Sequence, residues 1–180
     1  MGQKAVFFDR DGVLNVDTGY VHRIEDVLWI PGARELVGRL TKEGYLLFVV
    51  TNQSGIARGY YSEDDVKRLH RDMELEFARF GGKITEYFYC PHLKGAAVKV
   101  YDQDCNCRKP KPGMIQKALS RYQLKKADVL LIGDSQRDVE AARNAGIHGY
   151  LFQSGDLASF WKHYISADIE GTTEGGTPYV

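Results

Sequence analysis

Two carboxylates stand two positions apart in Asp9-Arg10-Asp11-Gly12, directly after a short apolar run. In such a pair one carboxylate can attack phosphorus while the other carries the proton of the leaving oxygen. Side by side they also attract a hard divalent cation. Asp and Gly equally favour a strand-end turn, and the pair alone does not separate the two readings. Thr51-Asn52-Gln53-Ser54-Gly55 offers a hydroxyl and backbone N–H groups able to hold phosphate oxygens, although alone it reads as a structural turn. Arg108-Lys109-Pro110-Lys111-Pro112 places three cations beside a helix start, where charge and the helix N-terminus both favour an anion. Of these, Lys111 fits a solvated loop. In Gly133-Asp134-Ser135-Gln136-Arg137-Asp138, Asp134 can ligate a metal and Asp138, one helical turn on, can support it by a hydrogen bond. The alternative is an acid capping a helix.

A second group of candidate ligands is formed by Cys90, His92, Cys105 and Cys107. The chain has three cysteines, all within eighteen consecutive positions, which is a poor disulfide framework. Three thiolates and one imidazole match a closed tetrahedral zinc site; buried free cysteines with a surface histidine are the alternative. The intervening stretch lacks core periodicity, which favours zinc. With four protein ligands the zinc is expected to be structural and to order the 90–107 loop ahead of Arg108 and Lys109.

Apolar runs that read as strands lie at 4–8, 45–50, 84–89, 129–132 and 147–152. Helical spacing follows Pro31-Gly32 (Ala33, Leu36, Val37, Leu40), Ser62 (Val66, Leu69, Met73, Phe77, Phe80), Pro112 (Met114, Ile115, Ala118, Leu119, Tyr122) and Asp134 (Val139, Ala142, Ala145). This alternation predicts an α/β fold: a Rossmann-like, doubly wound parallel sheet between two layers of helices. Ligand sites in such folds form at the carboxyl ends of strands, and Asp9, Thr51, the Cys90 segment and Asp134 each follow a strand. One domain is expected over 1–169, with a flexible tail over 170–180. The 180 residues are 43% hydrophobic and 27% charged, and 24 basic side chains balance 24 acidic ones. That balance gives no net basic field for nucleic acid or an anionic membrane. No secretory leader or membrane span is apparent, so a cytoplasmic monomer acting on a small molecule is expected.

The four polar clusters, in this order and all at strand ends, resemble the motifs of the haloacid-dehalogenase-like superfamily of phosphotransferases, over Ala5 to about Phe152. The resemblance implies a magnesium-dependent phosphatase working through an aspartyl phosphate. Asp9 resembles the nucleophile, Asp11 the general acid/base, Thr51 the phosphate-binding hydroxyl and Lys109 the cation on the transferring phosphoryl group. Asp134 resembles a magnesium ligand, shared with Asp9 and Asp11, and Asp138 its support. Within the superfamily, Phe8–Gly12, Asp17-Thr18-Gly19-Tyr20-Val21-His22, Thr51–Gly59, Cys90-Pro91-His92 and Cys107-Arg108-Lys109-Pro110 resemble the heptose 1,7-bisphosphate phosphatases. Those enzymes remove the 7-phosphate, and their product feeds nucleotide-activated heptose for lipopolysaccharide and other surface glycans. By that likeness Arg108 and Lys109 recognise substrate phosphate, while Asp17, Thr18, Gly19, Tyr20, Asn52, Gln53 and Ser54 lie on the sugar side. A minimal cap follows from the short insertions, leaving the metal loop as specificity element. Histidinol-phosphate phosphatases share the zinc loop and Arg-Lys-Pro and are the alternative, together with other small-molecule sugar phosphatases. Ser135 departs from the lysine often found there in heptose enzymes. A catalytically dead, zinc-stabilised binding protein is opposed by the intact acidic set, and a nucleic-acid end phosphatase by the neutral charge balance.

Overall fold

The structure, a computed structural model, describes residues 2–166. In chain order its elements are β1 (Ala5–Phe8), α1 (Ala33–Lys42), β2 (Leu46–Asn52), α2 (Ser54–Arg58), α3 (Glu63–Ala78), β3 (Glu86–Cys90), α4 (Gly113–Arg121), β4 (Val129–Gly133), α5 (Gln136–Ala145), β5 (His148–Leu151) and α6 (Leu157–Phe160). The last runs on as a π-helical turn over Trp161–Ile165. All five strands are parallel, in the order β3-β2-β1-β4-β5.

Strand periodicity sorts the side chains between two cores. Val6, Phe8, Leu47, Val49, Leu130 and Ile132 point to one face, where they meet Leu36 and Leu40 of α1, Leu69 and Phe77 of α3, and Leu157 and Trp161. Ala5, Phe7, Phe48, Val50, Val129 and Leu131 point to the other and meet Met114, Ile115 and Ala118 of α4 and Ala141, Ala142 and Ala145 of α5. A sheet covered on both faces has no reason to alternate apolar with polar residues, so its strands read as apolar runs. The chain winds outward from β1 in both directions. This makes the carboxyl ends of β1 and β4 the switch point, where a crevice opens.

Three differences from the sequence expectations concern local structure. Ser54–Arg58 is a helix rather than a turn. Phe80 lies beyond α3 and is 39% exposed, with Arg34 over its ring at 4.7 Å. The apolar period continues past Ala78, but the chain turns out of the helix there, through Gly81 at φ 71°. The helical segment from Leu157 buries Trp161 and Ile165 and has no counterpart among the expected elements. The expected tail, 170–180, lies outside the described residues. Among the described residues no helix is long and apolar enough to cross a membrane.

Candidate active site and metal centres

Strand β1 delivers Asp9 to the switch point, where its N–H donates to the Ile132 carbonyl at 2.9 Å. Gly12 takes φ 89°, and a Cβ there would stand 2.0 Å from Asp134 Oδ2. Glycine is what lets the turn after β1 close against the carboxylate after β4. Asp9, Asp134 and Asp138 thereby present carboxylate oxygens all within 4.8 Å of one another.

Lys109 is buried in this cluster. Its Nζ lies 2.9 Å from Asp9 Oδ1 and 2.6 Å from Asp138 Oδ1, and donates to the Val50 carbonyl at 2.8 Å. Burial opposes the ammonium charge, but the Asp9 and Asp138 carboxylates outweigh it and hold the Lys109 pKa above its ordinary value. Asp138 is likewise disfavoured by burial, yet Lys109 holds its pKa low. Its Oδ2 accepts from Ser135 N at 3.1 Å and Ser135 Oγ at 2.5 Å, so Ser135 closes a capping box on α5. Burial pushes Asp9 up to about 7 despite Lys109, and raises Asp134 as well. Asp134 Oδ1 is buried and has no hydrogen-bond partner among the described residues. One lysine cannot compensate three clustered carboxylates, two of them buried, and an orphaned oxygen among hard donors fits a divalent cation such as magnesium.

Asp11 is not gathered into this cluster. Its carboxylate is gripped by Arg10, with Nη2 donating to Oδ2 at 2.9 Å, and receives Asn15 Nδ2 at 2.9 Å and Gln53 Nε2 at 3.0 Å.

Above the cluster opens a cleft of about 230 Å³ lined by Asp9, Asp11, Asp17, Tyr20, Thr51, Asn52, Gln53, Ser54, Tyr61, Arg108 and Arg137. Thr18 and Gly19 do not line it; Gly19 N donates to Asp17 Oδ1 at 3.0 Å, shaping the turn that carries Tyr20. Nor does Lys109, which lies behind Asp9. Asn52 exchanges two hydrogen bonds with the Lys109 backbone, at 3.0 and 3.1 Å, pinning β2 to the cationic loop. Gln53 is buried and donates to both Thr51 Oγ1 (2.9 Å) and Asp11, while Tyr61 donates to its Oε1 at 2.6 Å. It therefore supports the acid as well as lining the cleft. Among the described residues the Arg108 guanidinium donates to the His92 carbonyl at 3.4 Å, and Arg137 carries no ion pair. The two guanidiniums face a cleft whose floor is acidic.

Tyr61, Arg137 and the buried pair Arg10 and His70 escape sequence reasoning. Arg137 sits in the first turn of α5, so helical spacing from Asp134 points to it once that helix start is known. Tyr61 is admitted because Gly55 has no side chain, since a Cβ there would lie 2.2 Å from its ring. Arg10 has no periodic signal, because a charged residue inside a polar turn reads as solvated.

The second centre closes as the spacing predicts. Cys90, His92, Cys105 and Cys107 bring their ligand atoms within 4.8 Å of one another. Cys107 Sγ lies 3.0 Å from Cys90 Sγ, 3.2 Å from Cys105 Sγ and 3.3 Å from His92 Nδ1. Hydrogen bonding from Cys90, and then from Cys105 and His92, lowers the Cys107 thiol to about 5, while Cys90 moves up. Three convergent sulfurs and one imidazole are a donor set suited to tetrahedral zinc. Gly113 N donates to the Asn106 carbonyl at 2.9 Å, which ties the loop to the start of α4.

Comparison with known proteins adds identity to this geometry. A HAD-hydrolase-like family model matches residues 106–177. The chain is 42% identical over 161 residues to D-glycero-beta-D-manno-heptose-1,7-bisphosphate 7-phosphatase of Rhodopseudomonas palustris, covering 89% of each chain. It is 46% identical over 147 residues to the D-glycero-alpha-D-manno-heptose-1,7-bisphosphate 7-phosphatase of Campylobacter jejuni, covering 82% of this chain and 80% of that one. Among solved structures it resembles D,D-heptose 1,7-bisphosphate phosphatase from B. bronchiseptica, complexed with magnesium and phosphate. The TM-score is 0.77 at 35% identity, covering 87% of this chain and 84% of that one.

Proposed function

The chain belongs to the D-glycero-D-manno-heptose-1,7-bisphosphate 7-phosphatases, a family of haloacid-dehalogenase-like hydrolases, and on that premise we propose that Asp9 is its nucleophile in removing the 7-phosphate. The observation that carries this reading is the cluster of Asp9, Asp134, Asp138 and Lys109 behind a cleft that Asp9 lines together with Arg108 and Arg137, neither arginine in an ion pair among the described residues.

In the first step the Asp9 carboxylate forms a bond to phosphorus and the bond from phosphorus to the sugar oxygen breaks. The leaving oxygen takes its electron pair and a proton from Asp11. In the second, Asp11 accepts a proton from water as that water's oxygen bonds to phosphorus, and the acyl phosphate of Asp9 opens to carboxylate and inorganic phosphate. Thr51 and the backbone of 51–54, which line the cleft, would hold the phosphate oxygens, and Lys109 offsets the charge of Asp9 against an incoming dianion. Asp9 and Asp134 would hold Mg2+, with Asp138 fixing Lys109 and the turn after Asp134. Once bound, that ion supplies charge neutralisation and Lewis acidity to the phosphoryl group.

Arg108 and Arg137 suit the second phosphate of a bisphosphate, and Asp17, Tyr20 and Ser54 suit the sugar hydroxyls. The four-ligand centre at Cys90, His92, Cys105 and Cys107 would hold zinc closed, without an open position for chemistry. Residues 1–169 form one domain in this reading, which acts as a monomer. Its thiolate ligands suit the reducing cytoplasm.

The test is phosphate release from both anomers of heptose 1,7-bisphosphate, with histidinol phosphate as competitor. Magnesium-dependent turnover of the heptose is expected, lowered at least about a thousandfold in Asp9→Asn. Arg137→Ala is expected to raise KM about tenfold and spare kcat. Turnover that survives Asp9→Asn, or that prefers histidinol phosphate, contradicts the reading.

A further inference from the structure

Arg10 has no exposure to solvent, although it stands between the two aspartates of the catalytic turn. Its Nη2 donates to Asp11 Oδ2 at 2.9 Å and Oδ1 at 3.1 Å, and its Nε to Oδ1 at 3.2 Å. The same Nη2 donates to the Val21 carbonyl at 2.7 Å, and Nη1 lies 3.4 Å from His70 Nε2. His70 is buried in turn and stacks on Tyr87 at 4.5 Å, whose hydroxyl donates to Glu74 at 3.2 Å. A buried guanidinium needs a paired anion, and among the described residues Asp11 is the carboxylate in ion-pair contact with it.

Asp11 is held from the opposite side as well. Gln53 donates to its Oδ2, Tyr61 fixes Gln53, and His22 stacks on the Tyr61 ring at 4.9 Å and 13°. Both lines of contact begin in one loop, at Val21 and at His22. That loop also carries Asp17 and Tyr20 to the wall of the cleft.

We propose that Arg10 is a positioning residue. It aims the Asp11 carboxyl at the leaving oxygen and ties that aim to the substrate-facing loop through Val21. The proposal rests on Asp11 carrying the proton, as read above. A guanidinium suits the task because its rigid fork can hold both carboxylate oxygens and the Val21 carbonyl together. A lysine ammonium on a flexible stem cannot.

The proposal predicts a dependence on leaving group that a merely structural role does not. A sugar alkoxide must be protonated as it departs, whereas the p-nitrophenolate of p-nitrophenyl phosphate leaves without a proton. The quantity to compare is kcat/KM, which ends at formation of the aspartyl phosphate. Arg10→Lys is expected to lower kcat/KM for heptose 1,7-bisphosphate at least about tenfold and for p-nitrophenyl phosphate less than about threefold. Asp11→Asn is expected to show the same skew, and adding Arg10→Lys to it to cost little more.

Thermal unfolding of each variant checks the fold. Should Arg10→Lys not fold, Arg10→Gln carries the same comparison, since a neutral amide is cheaper to bury and grips one oxygen only. Equal losses on both substrates, or no loss on either, overturn the proposal. A wild-type protein that cleaves neither substrate with magnesium present sinks the reading of the site itself, a separate and recognisable failure.

Discussion

Asp9 and Lys109 show how one contact serves both chemistry and folding. Lys109 is buried against two carboxylates, so its charge is fixed before any phosphate arrives. A preorganised cation of this kind needs no rearrangement as charge develops. His70 shows the opposite arrangement. Burial, followed by the charge of Arg10, holds its pKa well below the ordinary 6.5. The folded protein therefore leaves the imidazole neutral in a range where the unfolded chain protonates it. The stability linked to His70 is fully present above about pH 6.5 and is lost as pH falls below it, by about 1.4 kcal/mol per pH unit for one such group. Thermal unfolding followed from about pH 7 to about pH 5 should fall more steeply in the wild type than in His70→Phe, which keeps a ring beside Tyr87. Identical slopes contradict this. None of it is legible in the sequence: Arg10, inside Asp-x-Asp, and His70, in an amphipathic helix, look like solvated residues until Val21, Tyr87 and Asp11 close around them.

The elements place these residues with different degrees of legibility. The three central strands could be read because each lies between two helical layers and keeps an apolar run, whereas β3 and β5, at the sheet edges, carry Glu86 and the exposed His148. Ser62 could be read as a helix start because its side chain and that of Asp65 make a reciprocal cap. Ser54–Arg58 could not, since its glycine and polar residues read as a turn. It is Tyr61, packed over Gly55, that belongs with it. The helical segment that buries Trp161 is too short for its period to show. The loop from Cys90 to Cys107 was legible in its ligands and not in its path, because four side chains specify a centre while leaving the backbone between them free. If zinc holds that path, elemental analysis should find about one zinc per chain. Its removal by a strong chelator should lower the thermal midpoint by several degrees and abolish turnover even in saturating magnesium, because Arg108 hangs from the His92 carbonyl. Unchanged stability and activity in zinc-free protein contradict that role.

At the scale of the whole molecule the sheet order explains why residues so far apart in sequence meet. With β1 central and β4 beside it, Asp9 and Asp134 leave adjacent strands at the same end. With β2 on the other flank, Thr51 and Gln53 arrive from the opposite side. The pairing of Asp9 with Asp134 could be anticipated from a doubly wound fold. The contact of Gly12 with Asp134 could not, because it depends on how closely two loops approach rather than on either loop's composition. In the proposed reaction this arrangement brings Asp9 to phosphorus and Asp11 to the departing oxygen. The most direct test is to mix the Asp11→Asn variant, which lacks the base for the second step, with magnesium and p-nitrophenyl phosphate, whose leaving group departs without a proton. The reaction is quenched in acid and the peptides are weighed. The account predicts one phosphoryl group on the peptide carrying Asp9, and none in the matching Asp9→Asn protein. Release of p-nitrophenolate with no phosphoryl group on Asp9, or with the group on another residue, contradicts it.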